Sequence, residues 1–232
     1  MLYPVPAVMI SCGRPEERPN IITVAWAGTV CSSPAMVSIS VRKERYSYDI
    51  LKETGEFVIN LITRDLTYAT DFCGVRSGRD VDKFAQMHLT PLPSQHISAP
   101  GIAESPVNLE CKVTQVIPLG SHDMFLAEVL GVTVDEKYMD ENGKFHLNDA
   151  GLVAYSHGEY FELGEKLGKF GYSVAKKQAA KTESVTKSAK LSGAGKKVAS
   201  AENRTASKTE AGNRRKSASK TGSADKQKSR RK

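Results

Sequence analysis

The chain has no apolar run approaching the ~20 residues that a membrane-spanning helix needs, and no C-x-x-C pair. Its four cysteines, Cys12, Cys31, Cys73 and Cys111, are scattered. That spacing argues against a disulfide framework and against a structural zinc site. Five histidines, His88, His96, His122, His146 and His157, show no metal-ligand spacing, so no metal is expected. No G-x-G-x-x-G follows a strand, and neither a G-x-x-x-x-G-K-[ST] loop nor a G-x-S-x-G elbow occurs. Rossmann, P-loop and serine-hydrolase readings therefore have little support. The opening MLYPVPAVMISCG lacks the basic start and long apolar run of a signal peptide, and a reducing cytoplasm is the expected location.

What is present is divided sharply. The net charge of +7 hides an acidic body and a basic tail, because 18 of the 33 Lys+Arg but only 4 of the 26 Asp+Glu lie in 175–232. The tail is thus +14 and residues 1–174 are −7. With no aromatic residue and no sustained apolar period, the tail is expected to be disordered. Residues 1–174 are expected to form one folded domain with an ample core.

The stretch Ile21–Leu61 organises that domain. Ile21–Trp26 is rich in β-branched and aromatic residues and reads as a strand. Gly28 and Pro34 are expected to bracket a turn carrying Thr29, Ser32 and Ser33, and Ala35–Val41 alternates, with Val37, Ile39 and Val41 on one face. A basic elbow of Arg42, Lys43 and Arg45 follows, then a helix from Tyr48 to Thr54, with Ser47 expected at its cap and Gly55 at its stop. Tyr46 and Leu51 are expected to staple its first turn. A helix N-terminus beside a hydroxyl and several cations suits a phosphate. The turn's hydroxyls and amides suit a flat ring with polar edges, so the pair points to a phosphate-bearing heteroaromatic cofactor.

TVAWAG (Thr23–Gly28), SSP (Ser32–Pro34) and RYSYDILKETGEFVINL (Arg45–Leu61), followed by SGRDVDKF, GSHDMFLAEV and YSHGEYFELG, occur in an order that resembles the flavin reductase-like family. The resemblance covers roughly Tyr3–Tyr172. It implies an FMN-binding split β-barrel, mainly β with short helices, with FMN as cofactor and NADH or NADPH as electron donor. Carried onto this sequence, it puts Trp26, Ala27, Gly28, Thr29, Val30, Cys31, Ser32 and Ser33 at the ring and ribityl chain. It puts Arg42, Lys43, Tyr46 and Ser47 at the phosphate. Lys83, His122 and Tyr155 would line the catalytic side. From residue chemistry alone, Lys83 reads as a solvated lysine and His122 as a rim histidine, and Tyr155 reads equally as a core tyrosine. The family commonly has Gly where Ala127 stands, so a methyl there is expected to narrow the space near the ring. A homodimer is implied as well.

The rest of the domain reads as a strand over Tyr3–Cys12, a helix from Thr63 or Asp65 to Cys73, and a short helix over Asp80–Met87. A long proline-broken loop over Thr90–Pro106, paired strands over Asn108–Val116 and His122–Val134, a turn at Asp140–Gly143, and a last strand over Leu152–Tyr155 complete it. Three functions remain open. They are an NAD(P)H-dependent flavin reductase, an FMN electron carrier that serves a redox protein without its own nicotinamide site, and a polyanion or nucleic-acid binder acting through the tail.

Overall fold

A computed structural model describes residues 2–175. The expectation of a disordered tail falls on 176–232, outside the described residues. Along the chain run β1 (Val5–Pro6), β2 (Val8–Cys12), β3 (Asn20–Val24), β4 (Ala27–Ser32), β5 (Ala35–Arg42), α1 (Tyr46–Thr54) and β6 (Glu56–Leu61). Next come α2 (Thr67–Val75), α3 (Lys83–Gln86), β7 (Pro91–Leu92), β8 (Gly101–Ile102), β9 (Val107–Leu119), β10 (His122–Val134), β11 (Val153–Ser156) and β12 (Glu159–Glu162). The domain is mainly β with short helices, as expected.

Seven strands form one antiparallel sheet in the order β3-β2-β6-β9-β10-β5-β4. Its two edge strands, β3 and β4, are consecutive in the chain and separated only by Ala25 and Trp26. Two residues cannot bridge a flat seven-stranded sheet, so the sheet curls until its edges nearly meet. The result is a barrel with an open seam at Ala25–Trp26, up to which the β4–β5 pairing runs, the Ser40 N–H donating to the Trp26 carbonyl at 2.9 Å. Val37, Ile39 and Val41 alternate inward as expected, and pack with Ile10, Phe57, Phe125 and Ala127 in the barrel core.

A second core joins β2 and β3 to α2, through Met9, Ile21, Ala69, Cys73 and Phe84. A small sheet, β1-β11-β12, lies beside it, with Val5 opposite Tyr155 and Tyr155 opposite Tyr160. The expected strand over Tyr3–Cys12 is thus two strands serving two sheets. The break falls at Ala7, after two prolines that cannot donate to a ladder. Inside the proline-broken loop, β7 and β8 pair as a short hairpin. The turn at Asp140–Gly143 is present, closed by a 2.9 Å bond from the Gly143 N–H to the Asp140 carbonyl.

Two expectations in the organising stretch are corrected. Residues 27–32 form the edge strand β4, not a turn, because Thr29, Val30 and Cys31 favour extended backbone and pair with β5 across a bulge. The turn shrinks to Ser33–Pro34. Helix α1 begins at Tyr46 with Arg45 in the cap position and no side-chain cap. Ser47 lies inside the helix, buried, and its hydroxyl accepts from Asn20 Nδ2 at 2.7 Å.

Candidate functional site

Along the open seam, between Ala25–Trp26 and α2, runs a groove of two lobes. One, of about 400 Å³, is walled by Trp26, His122, Tyr155 and Tyr160. The other, of about 350 Å³, is walled by Arg45, Arg76, Arg79, Ser47 and Lys83. Ile22, Arg42, Arg45 and Gly74 line both, so the lobes are continuous.

The basic lobe is built from three segments. The Arg42–Arg45 elbow is closed by a 3.1 Å bond from the Arg45 N–H to the Arg42 carbonyl, and it turns the chain from β5 into α1. Helix geometry leaves the first N–H groups of α1 without intrahelical partners, and they add partial positive charge at this end. The α2–α3 loop brings Arg76, Ser77 and Arg79. It is clamped at Gly78, whose carbonyl accepts from Arg18 Nη2 and whose Cα lies so close to Asn20 and Tyr46 that a Cβ would sit 2.7 Å from Tyr46 Cδ1. Only glycine fits there.

The cations differ in how far they are already engaged. Arg42 pairs with Glu44 at 2.9 Å, and Arg79 stacks over the Tyr46 ring at 5.3 Å. Arg45 and Arg76 have no ion pair among the described residues. Lys83 is 3% exposed, and its Nζ donates to the carbonyls of Ile21 at 2.6 Å and Cys73 at 2.7 Å. Desolvation pushes its pKa down. Burial pushes the Cys73 thiol up to about 11 and the Cys12 thiol up to about 12, so both neighbours stay protonated and poor nucleophiles.

The aromatic lobe depends on the small sheet. The β1-β11-β12 register sets Tyr155 edge-on to Tyr160 with ring centroids 5.4 Å apart, and to Tyr3 at 6.3 Å. Burial, and then Asp71, push the Tyr160 hydroxyl up to about 12, so it remains a neutral donor, aimed at Asp71 Oδ1 at 3.4 Å. His122 opens β10 directly opposite Arg42 on β5, with its Nδ1 2.9 Å from Ser121 Oγ. The imidazole therefore stands in the aromatic lobe, beside Arg42, which lines both lobes.

Of the residues expected at the site, the groove brings together Trp26, Arg42, Tyr46, Ser47, Lys83, His122 and Tyr155. It does not include Gly28, Thr29, Val30, Cys31, Ser32 or Ser33, which lie along the edge strand β4 and the turn after it. Ala27 packs against the barrel core. Lys43 also points elsewhere, lying 3.4 Å from Asp123 Oδ1, while Tyr48 donates to Asp123 Oδ2 at 2.6 Å. Lys83, expected to reach the substrate side, spends two of its donors on backbone carbonyls under the basic lobe.

Arg45 lines the groove with the basic elbow, and Arg76, Arg79, Asp71, Tyr3 and Tyr160 line it without having been assigned to the site. The glycine-, serine- and arginine-rich run Gly74–Arg79 held a readable signal for two of them. Tyr3 and Tyr160 carried none, since only strand register brings them to Tyr155.

With this geometry in hand, comparison with known proteins is decisive. Residues 1–164 match the flavin reductase like domain. The chain belongs to that family. Flavoredoxin of Desulfovibrio vulgaris (Miyazaki F) superposes with a TM-score of 0.70 at 34% identity, covering 75% of this chain and 95% of that one. A flavoredoxin from Methanosarcina acetivorans superposes at 0.67 with 24% identity, over 75% of this chain and 95% of that one, and shares the fold. An uncharacterized protein of Archaeoglobus fulgidus is 32% identical over 160 residues, 69% of this chain and 88% of its own length. The barrel with its open seam is therefore the flavin reductase split barrel. Within it, Ala127 corrects an expectation. It is fully buried among the barrel-core residues and does not line the groove, so its methyl narrows nothing there.

Proposed function

We propose that the groove holds FMN and that the protein is a flavin-dependent oxidoreductase taking electrons from NADH or NADPH. The observation that carries this reading is the continuity of an aromatic lobe with a basic lobe in a chain of this family. The donor set fits the cofactor. Arg45 and Arg76, with the first N–H groups of α1, suit a phosphate dianion. Trp26, Tyr155 and Tyr160 give flat walls for a tricyclic ring.

When bound, FMN supplies two-electron chemistry through a ring that accepts hydride. The chain's own part is binding and orientation. Arg42 and Arg45 line both lobes and would orient the cofactor across their junction. His122, opposite Arg42 on the neighbouring strand, can hydrogen-bond a ligand in the aromatic lobe. Tyr160 stays a donor across the physiological range. Lys83 supports the floor of the basic lobe by tying β3 to the end of α2.

Titration of the purified protein with FMN, followed by the visible spectrum and by NADH and NADPH oxidation, tests the reading. Saturable uptake of one FMN per chain with turnover of either donor is expected. A colourless protein that takes up no FMN would overturn it. Thirty-four per cent identity to a flavoredoxin favours a second reading, an electron carrier reduced by another protein. In that case FMN binds, but neither nicotinamide turns over. We also infer a homodimer, which the family resemblance implies.

A further inference from the structure

We propose that an arm of this chain, residues 163–174, docks into a cavity of a second copy, at the start of α2, while the groove lies along its later turns. The proposal rests on the homodimer inferred above and specifies what joins the two copies.

After β12 the arm forms no further strand, yet it carries Leu163, Leu167, Phe170, Tyr172 and Val174 within twelve residues. Leu167 is 94% exposed, and Phe170 is as exposed as in an extended peptide. Such side chains are not simply frayed. The Tyr172 N–H donates to the Lys169 carbonyl at 2.9 Å, and the Val174 N–H to the Gly171 carbonyl at 3.2 Å. Gly171 takes φ +83°, and the Tyr172 ring lies over Gly168 so closely that a Cβ there would sit 2.8 Å from Cδ1. The tip is therefore a folded turn that holds Phe170 outward. Its base is fixed by a 3.3 Å bond from the Leu163 N–H to the Leu152 carbonyl. An ordered apolar knob with nothing over it among the described residues marks a contact surface.

A matching hollow of about 740 Å³ lies between the start of α2 and the segment Met87–Leu89. Leu66, Ala69, Met87 and Leu89 give it an apolar floor, and the ring of Tyr68 stands exposed at its edge. Asp65, Glu104, Asp149 and Glu162 surround it. Its two cations are already committed, Arg64 to Glu162 and Lys137 to Asp135. The rim is thus left acidic. The arm carries Lys166 and Lys169 beside its apolar residues, against the single acid Glu165. A knob with flanking lysines and a hollow with flanking carboxylates are complementary in shape and in sign.

The occupant is a second copy. Each chain's own arm starts on the rim of its own hollow at Glu162, then runs beside Lys144–Asp149, where Phe170 borders the open space between them and stays fully exposed. Exchange between two copies covers both knobs in one closed, two-fold arrangement.

The test uses the full chain carrying Cys31→Ser, with Tyr68→Cys in one preparation and Phe170→Cys in another. The two are mixed, oxidised mildly, and mapped by peptide mass spectrometry beside sedimentation of the parent protein. A linkage between positions 68 and 170 of different chains, exceeding the 68–68 and 170–170 linkages, is expected. A protein that sediments as a dimer without that linkage overturns the arm exchange and leaves the dimer intact. A monomer at every concentration removes both. A chain carrying both cysteines that closes within itself instead shows that the arm serves its own hollow, which also overturns the proposal. Independently, Phe170→Ser in the full chain should weaken self-association about tenfold or more. Unchanged association would count against the knob.

Discussion

At the scale of single residues, Arg45 and Arg76 are the side chains whose loss should be felt by the ligand rather than by the fold. Both face the basic lobe with no ion pair among the described residues. Charge-assisted bonds of this kind contribute about 1.5–3 kcal/mol each. Arg45→Ala should therefore weaken FMN binding by about 10- to 100-fold and leave riboflavin, which lacks the phosphate, nearly unaffected. Fluorescence titration with the two flavins measures the difference. Equal losses for both would show that Arg45 does not meet the phosphate. Lys83 makes the opposite case. Lys83→Met would leave the Ile21 and Cys73 carbonyls without their donor, at a cost on the order of 2–4 kcal/mol. Its mark should appear in urea unfolding before any effect on turnover at saturating flavin.

At the scale of elements, the loop over 93–99 is held by carboxylates. Glu110 accepts from the N–H groups of Gln95 at 2.9 Å and His96 at 2.7 Å, and Glu56 accepts from the Ser98 N–H at 2.9 Å. Desolvation alone would raise the Glu110 pKa, but the Gln95 and His96 bonds outweigh it and hold it below the ordinary range. A carboxylate depressed in the folded state contributes stability that is complete above the unfolded value of about 4.3 and is lost as pH falls through the folded one. Acid should therefore release this loop first. In Glu110→Gln, the difference in stability from the parent should shrink below about pH 4. An unchanging difference on acidification would refute the carboxylate's role.

The elements also show what could be read from the chain. Strand β10 starts and ends at the expected His122 and Val134, while the alternation expected over Asn108–Val116 runs on in β9 to Leu119. The basic elbow was legible as a run of like charge. The edge strand β4 was not, because Gly28, Ser32, Ser33 and Pro34 look like turn residues, while the pairing that makes 27–32 extended comes from β5. Ser47 misled for a related reason. A serine before a helical run suits a cap, yet the buried Asn20 claimed its hydroxyl for a tertiary bond. Tyr160 reaches the groove through strand register, which has no local signature, whereas Arg76 lies in the Gly74–Arg79 run, whose glycines, serine and arginines could be read.

For the molecule as a whole, the ligand should add stability in proportion to its excess. FMN at 100 times its dissociation constant should raise unfolding free energy by about 2.7 kcal/mol, readable as a higher Tm, while FMN removal reverses the shift. A Tm indifferent to FMN would mean that the folded chain does not bind it. The basic segment 175–232 supplies a separate expectation. Chains ending at Ala175 should lose whatever retention on DNA the full chain has at low salt, and that retention should fall steeply as salt rises.

The seam gives these measurements a common origin. Its two flanking strands are neighbours in sequence but not in hydrogen bonding, so nothing in the backbone ladder buttons the barrel shut along that line. A flavin lying across it, touching β3, β5, α1 and α2 at once, would be a fastener as much as a reagent. Emptying the pocket should then loosen the garment from that side, with amide exchange quickening first in β3 and β4, while β9 and β10 keep their protection.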